Sequence, residues 1–332
     1  MDNVYYIDDL KVYPLLMEPV FKDYLWGGTR LRDEFGKNSS LEKIAESWEV
    51  STQNGNLSKI ANGIYSGKSL NDYINSDSER ILGINCAKMT EFPVLIKLID
   101  AKDNLSVQVH PNDKYMLKKG ALFGKSEMWY IMDCEPGASI ILGFNRDITK
   151  EEFEERIKNN TLLEAVNKIP VKKGDCYYVE AGTLHAIGKG ILIAEIQQNS
   201  DVTFRVYDYG RKDANGNSRE LHISEAIEVT ERTKPHGNYN GINKHMNDGS
   251  KLLAKHSNFT VYECDNIKTM TVNDESFCAL LFVDGTGSLS YYENGSREQF
   301  KFTRGDSVFI PAGFGTFSLA GDFTVLKTVI EK

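Results

Sequence analysis

The sequence predicts a mainly β protein made of two related barrels in one chain, with a small helical insertion. Three observations carry that expectation. Short apolar or alternating segments recur between turn residues, a turn pattern of ten residues occurs twice, and helical periodicity is confined to a few places.

The strand candidates come first. Phe92 to Asp100 is short, apolar and β-branched, and Leu105 to His110 alternates with Ser106, Gln108 and His110 on one face. Glu127 to Met132 and Ser139 to Phe144 read as two further strands separated by the turn residues Glu135, Pro136 and Gly137. Cys176 to Val179, Ile191 to Gln197 and Val202 to Tyr207 continue the series. Sixteen Tyr and 16 Phe supply aromatic mass suited to such cores.

Helix signals are few. Thr149 is placed as an N-cap for Lys150 to Ile157, whose first turn is acidic, where the helix dipole favours negative charge. Leu162 to Val166 reads as a second short helix and Ser224 to Val229 as a third. The insertion is therefore expected over about residues 149–168.

The repeat sets the domain organisation. Lys173-Gly-Asp-Cys-Tyr-Tyr-Val-Glu-Ala-Gly182 and Arg304-Gly-Asp-Ser-Val-Phe-Ile-Pro-Ala-Gly313 both read as a Gly-Asp turn, a strand and a second tight turn, at a constant offset of 131 residues. A linker rich in Gly, Asn and Pro runs from Lys234 to Gly241, and Asn247 to Ser250 extends it. The expected division is 1–245 for a metal-binding domain with the insertion and 246–332 for a second barrel without metal. The copies differ where it matters: His185 follows the first, and Thr316 aligns with it after the second.

Composition narrows the function. At 332 residues, 41% hydrophobic and 26% charged, the chain is globular rather than disordered. A net charge of -8 disfavours wholesale nucleic-acid or anionic-membrane binding, though not a local basic pocket for a phosphorylated small molecule. Cys86, Cys134, Cys176, Cys264 and Cys278 are scattered, odd in number and form no CxxC pair. Free thiols in a reducing compartment are expected, not a disulfide framework or a thiolate zinc site. Met1 to Tyr5 has no basic stretch leading into an apolar core, and no apolar run approaches the roughly 20 residues that span a bilayer, so a cytoplasmic protein is expected. No obligate protein partner is evident.

Four residues form the metal expectation: Gln108, His110, Glu127 and His185. Gln108 and His110 share a face at i and i+2, Glu127 opens an otherwise apolar strand, and His185 follows the Gly-Asp turn. That turn-to-histidine run resembles the second half of the cupin signature, which implies a metal held inside a jelly-roll barrel. Two imidazoles and a carboxylate suit zinc or another first-row divalent ion. His222, His236, His245 and His256 stand alone and are read as ordinary structural or surface residues.

At these residues the sequence resembles a known family. Ser106-Val-Gln-Val-His-Pro-Asn-Asp113, Gly124-Lys-Ser-Glu-Met-Trp-Tyr130, Gly182-Thr-Leu-His-Ala186, Glu195-Ile-Gln-Gln-Asn-Ser-Asp201 and Arg205-Val-Tyr-Asp-Tyr-Gly-Arg211 are similar to the motifs of class I mannose-6-phosphate isomerases, most closely the short bacterial form. Trp26-Gly-Gly28 and Ala45-Glu-Ser-Trp-Glu49 fit as well, and the similarity covers nearly the whole chain. Tyr209 departs from the tryptophan of many relatives.

The resemblance implies a zinc-dependent aldose–ketose isomerase, with one Zn2+ per chain, that interconverts mannose 6-phosphate and fructose 6-phosphate through a cis-enediol(ate). It also implies roles. Lys97, Ser106 and Arg211 become candidates for the substrate phosphate, Arg205 for the reacting end of the sugar, and Lys125 and Asp201 for proton transfer. The base stays open among Glu195, Asp201 and a metal-bound water. Two other readings compete: a non-catalytic sugar-phosphate-binding cupin and an isomerase of another aldose. An iron oxygenase fits poorly with the glutamine and the surrounding Lys and Arg.

Overall fold

A computed structural model describes residues 10–212, 215–234, 240–293 and 295–332. The Met1–Tyr5 start and linker residues 235–239, with His236, lie outside the described residues.

Three antiparallel sheets dominate. One has six strands in the order Cys176–Val179, Glu127–Cys134, Ile191–Gln198, Val94–Ala101, Glu46–Val50, Val20–Lys22. A second has five, in the order Val166–Pro170, Ser139–Phe144, His185–Ile187, Val107–Val109, Phe204–Tyr207. The third has ten strands and holds the C-terminal part of the chain.

The strand pattern explains the stacking. Ile99, Ile131 and Ile193 of the six-stranded sheet meet Ile140, Leu142 and Ile187 of the five-stranded sheet in one apolar cluster with Trp129. Alternate residues of the same strands, Ile96, Leu98, Met128 and Ala194, join Phe259, Val261 and Leu281 of the ten-stranded sheet. The six-stranded sheet is therefore covered on both faces. That is why Val94–Ala101 is buried throughout instead of alternating, with Lys97 and Asp100 as its two charged residues.

The duplicated turn is physically the same turn in both places. Gly174 and Gly305 have φ of 86° and 93°, and Gly182 and Gly313 have 94° and 70°, a region glycine enters without a Cβ penalty. Asp175 Oδ2 accepts from Lys172 N at 3.0 Å, and Asp306 Oδ2 accepts from Thr303 N at 2.7 Å. Thr316, the counterpart of His185, bonds Thr271 through its hydroxyl at 2.9 Å on the surface.

The structure departs from expectation in three places. The helix at Lys150–Lys158 forms, with Thr149 Oγ1 accepting from Glu152 N at 3.1 Å, but Leu162 to Val166 is not a second helix. A single 3-10 turn covers Leu162–Glu164, and Val166 opens a strand paired with Ser139–Phe144. The alternation of buried and exposed positions over Val166–Pro170 outweighs the local helix propensity. Short helices at Leu70–Ser76, Ser78–Leu82 and Asp113–Lys118 were not anticipated. Each has a capping side chain, Ser69, Asp77 or Asn112, but is too short to show a period. Finally, the strand Leu15–Glu18 pairs with Ser307–Ile310, so an N-terminal segment belongs to the C-terminal sheet.

Candidate active site and metal centre

Strand register brings the chemical groups together in two rows. In the five-stranded sheet Gln108 is the cross-strand partner of both His185 and Arg205. In the six-stranded sheet Glu195 is the partner of Trp129 on one side and Lys97 on the other, and Lys97 in turn faces Trp48. Between the rows lies a cavity of about 330 Å³, whose walls include Lys97, Ser106, Gln108, Lys125, Glu195, Asp201 and Arg205.

At its base His110, Glu127 and His185 are buried together, with candidate ligand atoms all within 4.8 Å of one another. His110 Nε2 is 3.4 Å from Glu127 Oε2, and His185 Nε2 is 3.5 Å from Glu127 Oε1. The other ring nitrogens are engaged: His110 Nδ1 with Val202 O at 2.9 Å and His185 Nδ1 with Thr183 O at 2.8 Å. A carbonyl only accepts, so each Nδ1 carries the proton and each Nε2 lone pair turns inward. Burial, aided by the neighbouring Lys125 charge, pulls the His110 imidazolium down to about 3. Burial lowers His185 too, so both rings are neutral at neutral pH.

Lys125 supplies the positive charge at this focus. Its ammonium donates to Glu127 Oε2 at 2.7 Å and to His110 Nε2 at 2.8 Å. Burial works against the Glu127 carboxylate, but the Lys125 ammonium holds it well below the usual range. Glu127 Oε1 is buried with no hydrogen-bond partner. Two inward lone pairs and an orphaned carboxylate oxygen fit a divalent metal, which would compete with the Lys125 ammonium for Glu127 and His110. Gln108 stands beside them, its Nε2 3.4 Å from His185 Nε2 and its Oε1 3.3 Å from Ser106 Oγ. The reversed amide would turn the oxygen towards the histidines.

Above the cluster Glu195 is buried. Its Oε2 accepts from Trp129 Nε1 at 3.0 Å, and its Oε1, 3.4 Å from Lys97 Nζ, has no hydrogen bond. Burial and the Glu127 charge raise its pKa, against Lys125 and Lys97. Lys97 also faces Glu46 at 3.7 Å and lies over the Trp48 ring at 4.8 Å.

Ten of the eleven residues singled out from sequence thus adjoin one cavity or the cluster at its base. Asp201 does so from an exposed loop position, and His110 lies just beyond its strand rather than within it. Glu127 and His185 complete that group. Arg211 is not in the cavity wall. Its guanidinium is held by Asp208 and by Asn104 O, over the Tyr209 ring at 5.2 Å. Glu46, Tyr24, Asp208 and Arg219 were missed. Glu46 sits in a quoted motif and had a signal; Arg219, on a loop without periodicity, had none. The lone histidines behave as expected: His222 Nδ1 accepts from Arg205 N at 3.3 Å, His256 Nδ1 accepts from Asn258 N at 3.2 Å, and His245 is exposed.

Comparison with known proteins shows the family. Residues 15–142 match the family model for the catalytic domain of type I phosphomannose isomerase, and 250–330 match the mannose-6-phosphate isomerase cupin domain. A Bacillus subtilis protein named probable mannose-6-phosphate isomerase GmuF is 40% identical over 93% of this chain and 96% of its own length. The crystal structure of mannose 6-phosphate isomerase from Bacillus subtilis superposes with a TM-score of 0.86 at 35% identity, covering 96% of this chain and 99% of that one. A zinc-bound mannose 6-phosphate isomerase shares the fold at 16% identity, with a TM-score of 0.78 over 96% of this chain and 100% of that one. Among the described residues no helix is long and apolar enough to cross a membrane. The chain is a mainly β protein with a cupin domain, and it belongs to the type I mannose-6-phosphate isomerase family.

Proposed function

We propose that the chain is a cytoplasmic, zinc-dependent isomerase that interconverts mannose 6-phosphate and fructose 6-phosphate. The observation that carries the reading is the buried His110–Glu127–His185 cluster with Glu195 and Lys125 beside it in one cavity. His110, Glu127 and His185 would hold one Zn2+, with Gln108 as the fourth protein ligand through its amide oxygen. A metal bound there acts as a Lewis acid towards the oxygens of the sugar.

The protein's own groups account for the proton movement. Glu195 is raised by burial, carries an unpaired oxygen and is anchored by Trp129, which suits a carboxylate that takes a proton from one sugar carbon and returns it to the next. The product of that first transfer is a cis-enediolate. Lys125 places positive charge near its oxygens, and Asp201, at the open side, serves the ring-opening proton exchange, whereas Arg205, bonded to Ser106 Oγ and Glu220 O, lies further from the metal cluster than the reacting end expected for it. Of the phosphate candidates, Ser106 lines the cavity and bonds no carboxylate. Lys97 already faces two carboxylates, so we assign it to holding Glu195, and Arg211 to a supporting place behind the cavity wall.

We also take the two-barrel division as functional: residues 1–245 carry the site, and 246–332 form a second barrel without metal. Its support is Thr316 in the place of His185. The test is a coupled isomerase assay on purified protein, before and after chelation, with metal analysis. Absence of activity on mannose 6-phosphate in the fully metallated protein would refute the reading. His185→Ala should lose the metal; full retention would show the ligand set to be wrong.

A further inference from the structure

The cations around the cavity differ in how far their charge is already met. Lys97 has Glu46 at 3.7 Å and Glu195 at 3.4 Å, and Lys125 has Glu127 at 2.7 Å. That end, next to the His110–Glu127–His185 cluster, is balanced or negative. The other end is not. Among the described residues Arg205 bonds neutral acceptors, Ser106 Oγ at 3.3 Å and Glu220 O at 2.8 Å.

Beyond Arg205, one carboxylate serves two guanidiniums. Asp208 is only 6% exposed. Arg219 gives Nε to its Oδ2 at 2.8 Å and Nη2 to its Oδ1, and Arg211 gives Nη2 to the same Oδ1. Asp103, more than half exposed and 3.9 Å from Arg211, is too far and too wet to balance the pair. Among the described residues one positive charge is left over, and it faces inward, because Arg219 lines the cavity and Arg211 does not. Burial and the nearby Arg219 charge work against the Arg205 cation, and Asp208 opposes them in part; an added anion would relieve the repulsion from Arg219.

We propose that Arg219, together with Arg205 and Ser106, receives the phosphate of the sugar phosphate, and that Arg211 acts from behind by sharing Asp208. This rests on the isomerase reading. A guanidinium fork suits phosphate oxygens, and a dianion is drawn to the end of the cavity with surplus positive charge. Hydrogen bonds order the groups away from the metal cluster as Gln108, Ser106, Arg205. The phosphate then sits at one end and the reacting carbons at the other.

The experiment compares wild-type zinc-loaded protein with Arg219→Ala and Arg219→Lys. Asp208 keeps Arg211 as a partner in both variants, so neither leaves a buried carboxylate alone; melting temperature and zinc content check this. For Arg219→Ala, kcat/KM for mannose 6-phosphate should fall at least about tenfold, with the loss carried by KM, and inhibition by inorganic phosphate should weaken by a similar factor. Arg219→Lys should fall between the two. An unchanged KM with unchanged phosphate inhibition overturns the proposal, as does a loss confined to kcat. If wild type has no isomerase activity, the isomerase reading fails. Calorimetric binding of inorganic phosphate to wild type and Arg219→Ala still decides this proposal: equal affinities overturn it.

Discussion

Replacing Lys125 with methionine tests the electrostatics of the metal cluster directly. The ammonium lies 2.7 Å from Glu127 Oε2, and both side chains are buried. At that separation and an effective dielectric of about 20, the attraction is about 6 kcal/mol. Removing the lysine also removes the cost of dehydrating it, so the expected net loss is about 3–5 kcal/mol, the range for stranding one partner of a buried pair. The assay is urea unfolding in chelator at pH 7, wild type against Lys125→Met.

The pH dependence gives an independent reading of the same contact. In wild type Glu127 lies below its usual 4.5, so it adds stability above pH 4.5 that is lost as pH falls through the lower, folded value. In the variant burial dominates and raises the carboxyl. Its contribution then becomes a penalty that grows as pH rises from about 4.5 towards neutrality, so the gap between the proteins should widen over that interval. Saturating zinc should narrow it. An ion at about a thousandfold over its Kd adds about 4 kcal/mol, more where no ammonium competes for Glu127. Equal stability of the two proteins in chelator, within about 1 kcal/mol, would refute the assignment of Lys125 as the compensating cation.

Three further outcomes are expected. The chelated protein should weaken below pH 6.5, because His110 and His185 have lowered folded values and their contribution is lost as pH falls. Each adds up to about 1.4 kcal/mol per pH unit, read from denaturant midpoints at pH 7 and 5. A flat profile there would mean the rings are not buried neutral. Glu195→Gln should cut kcat at least about a hundredfold while zinc content holds, and a loss under tenfold would place the base elsewhere. Glu49→Leu should cost about 3–5 kcal/mol by stranding the buried Lys37, and adding Lys37→Met should recover part of that in a double-mutant cycle.

The site was legible where chemistry and period coincided. His110, Glu127 and His185 each stand at the edge of a strand that the residue pattern marks, and the unmatched Thr316 in the repeat located the site in one half of the chain. Lys97 was noticed because a lysine in an apolar strand needs a partner. Its partners were not readable, since Glu46 and Glu195 reach it only through pairing of strands far apart in sequence. Arg211 and Arg219 show the limit. Both are loop arginines, and only the turn at Tyr209, with its φ of 57°, and their common Asp208 decide which of them faces the cavity. The strand at Val166–Pro170 was lost for a similar reason: its pairing with Ser139–Phe144 is tertiary, and Leu162 to Ala165 just before it favours a helix.

The ten-stranded sheet bears on the site from two sides, although it contributes none of the metal-cluster residues. On one side Lys37 Nζ donates to Gly305 O at 2.7 Å and pairs with Glu49 Oε1 at 2.8 Å, while Ser307 Oγ reaches Glu49 Oε2 at 3.2 Å. Glu49 adjoins Trp48, the cross-strand partner of Lys97. On the other side Asn258 Oδ1 accepts from Gln198 Nε2 at 3.2 Å. The same Gln198 side chain accepts from Ser126 N at 2.8 Å and donates to Asp113 Oδ1 at 2.9 Å, which also accepts from Gly124 N. These contacts fix the segment that carries Lys125 and leads into Glu127. A chain cut after residue 245 would expose the apolar face formed by Ile96, Leu98, Met128 and Ala194 and would leave Lys37 and Gln198 short of partners. Such a fragment should aggregate or lose zinc, as gel filtration and metal analysis would show. A soluble, zinc-retaining, active fragment would mean that these contacts are dispensable and that the first two sheets suffice.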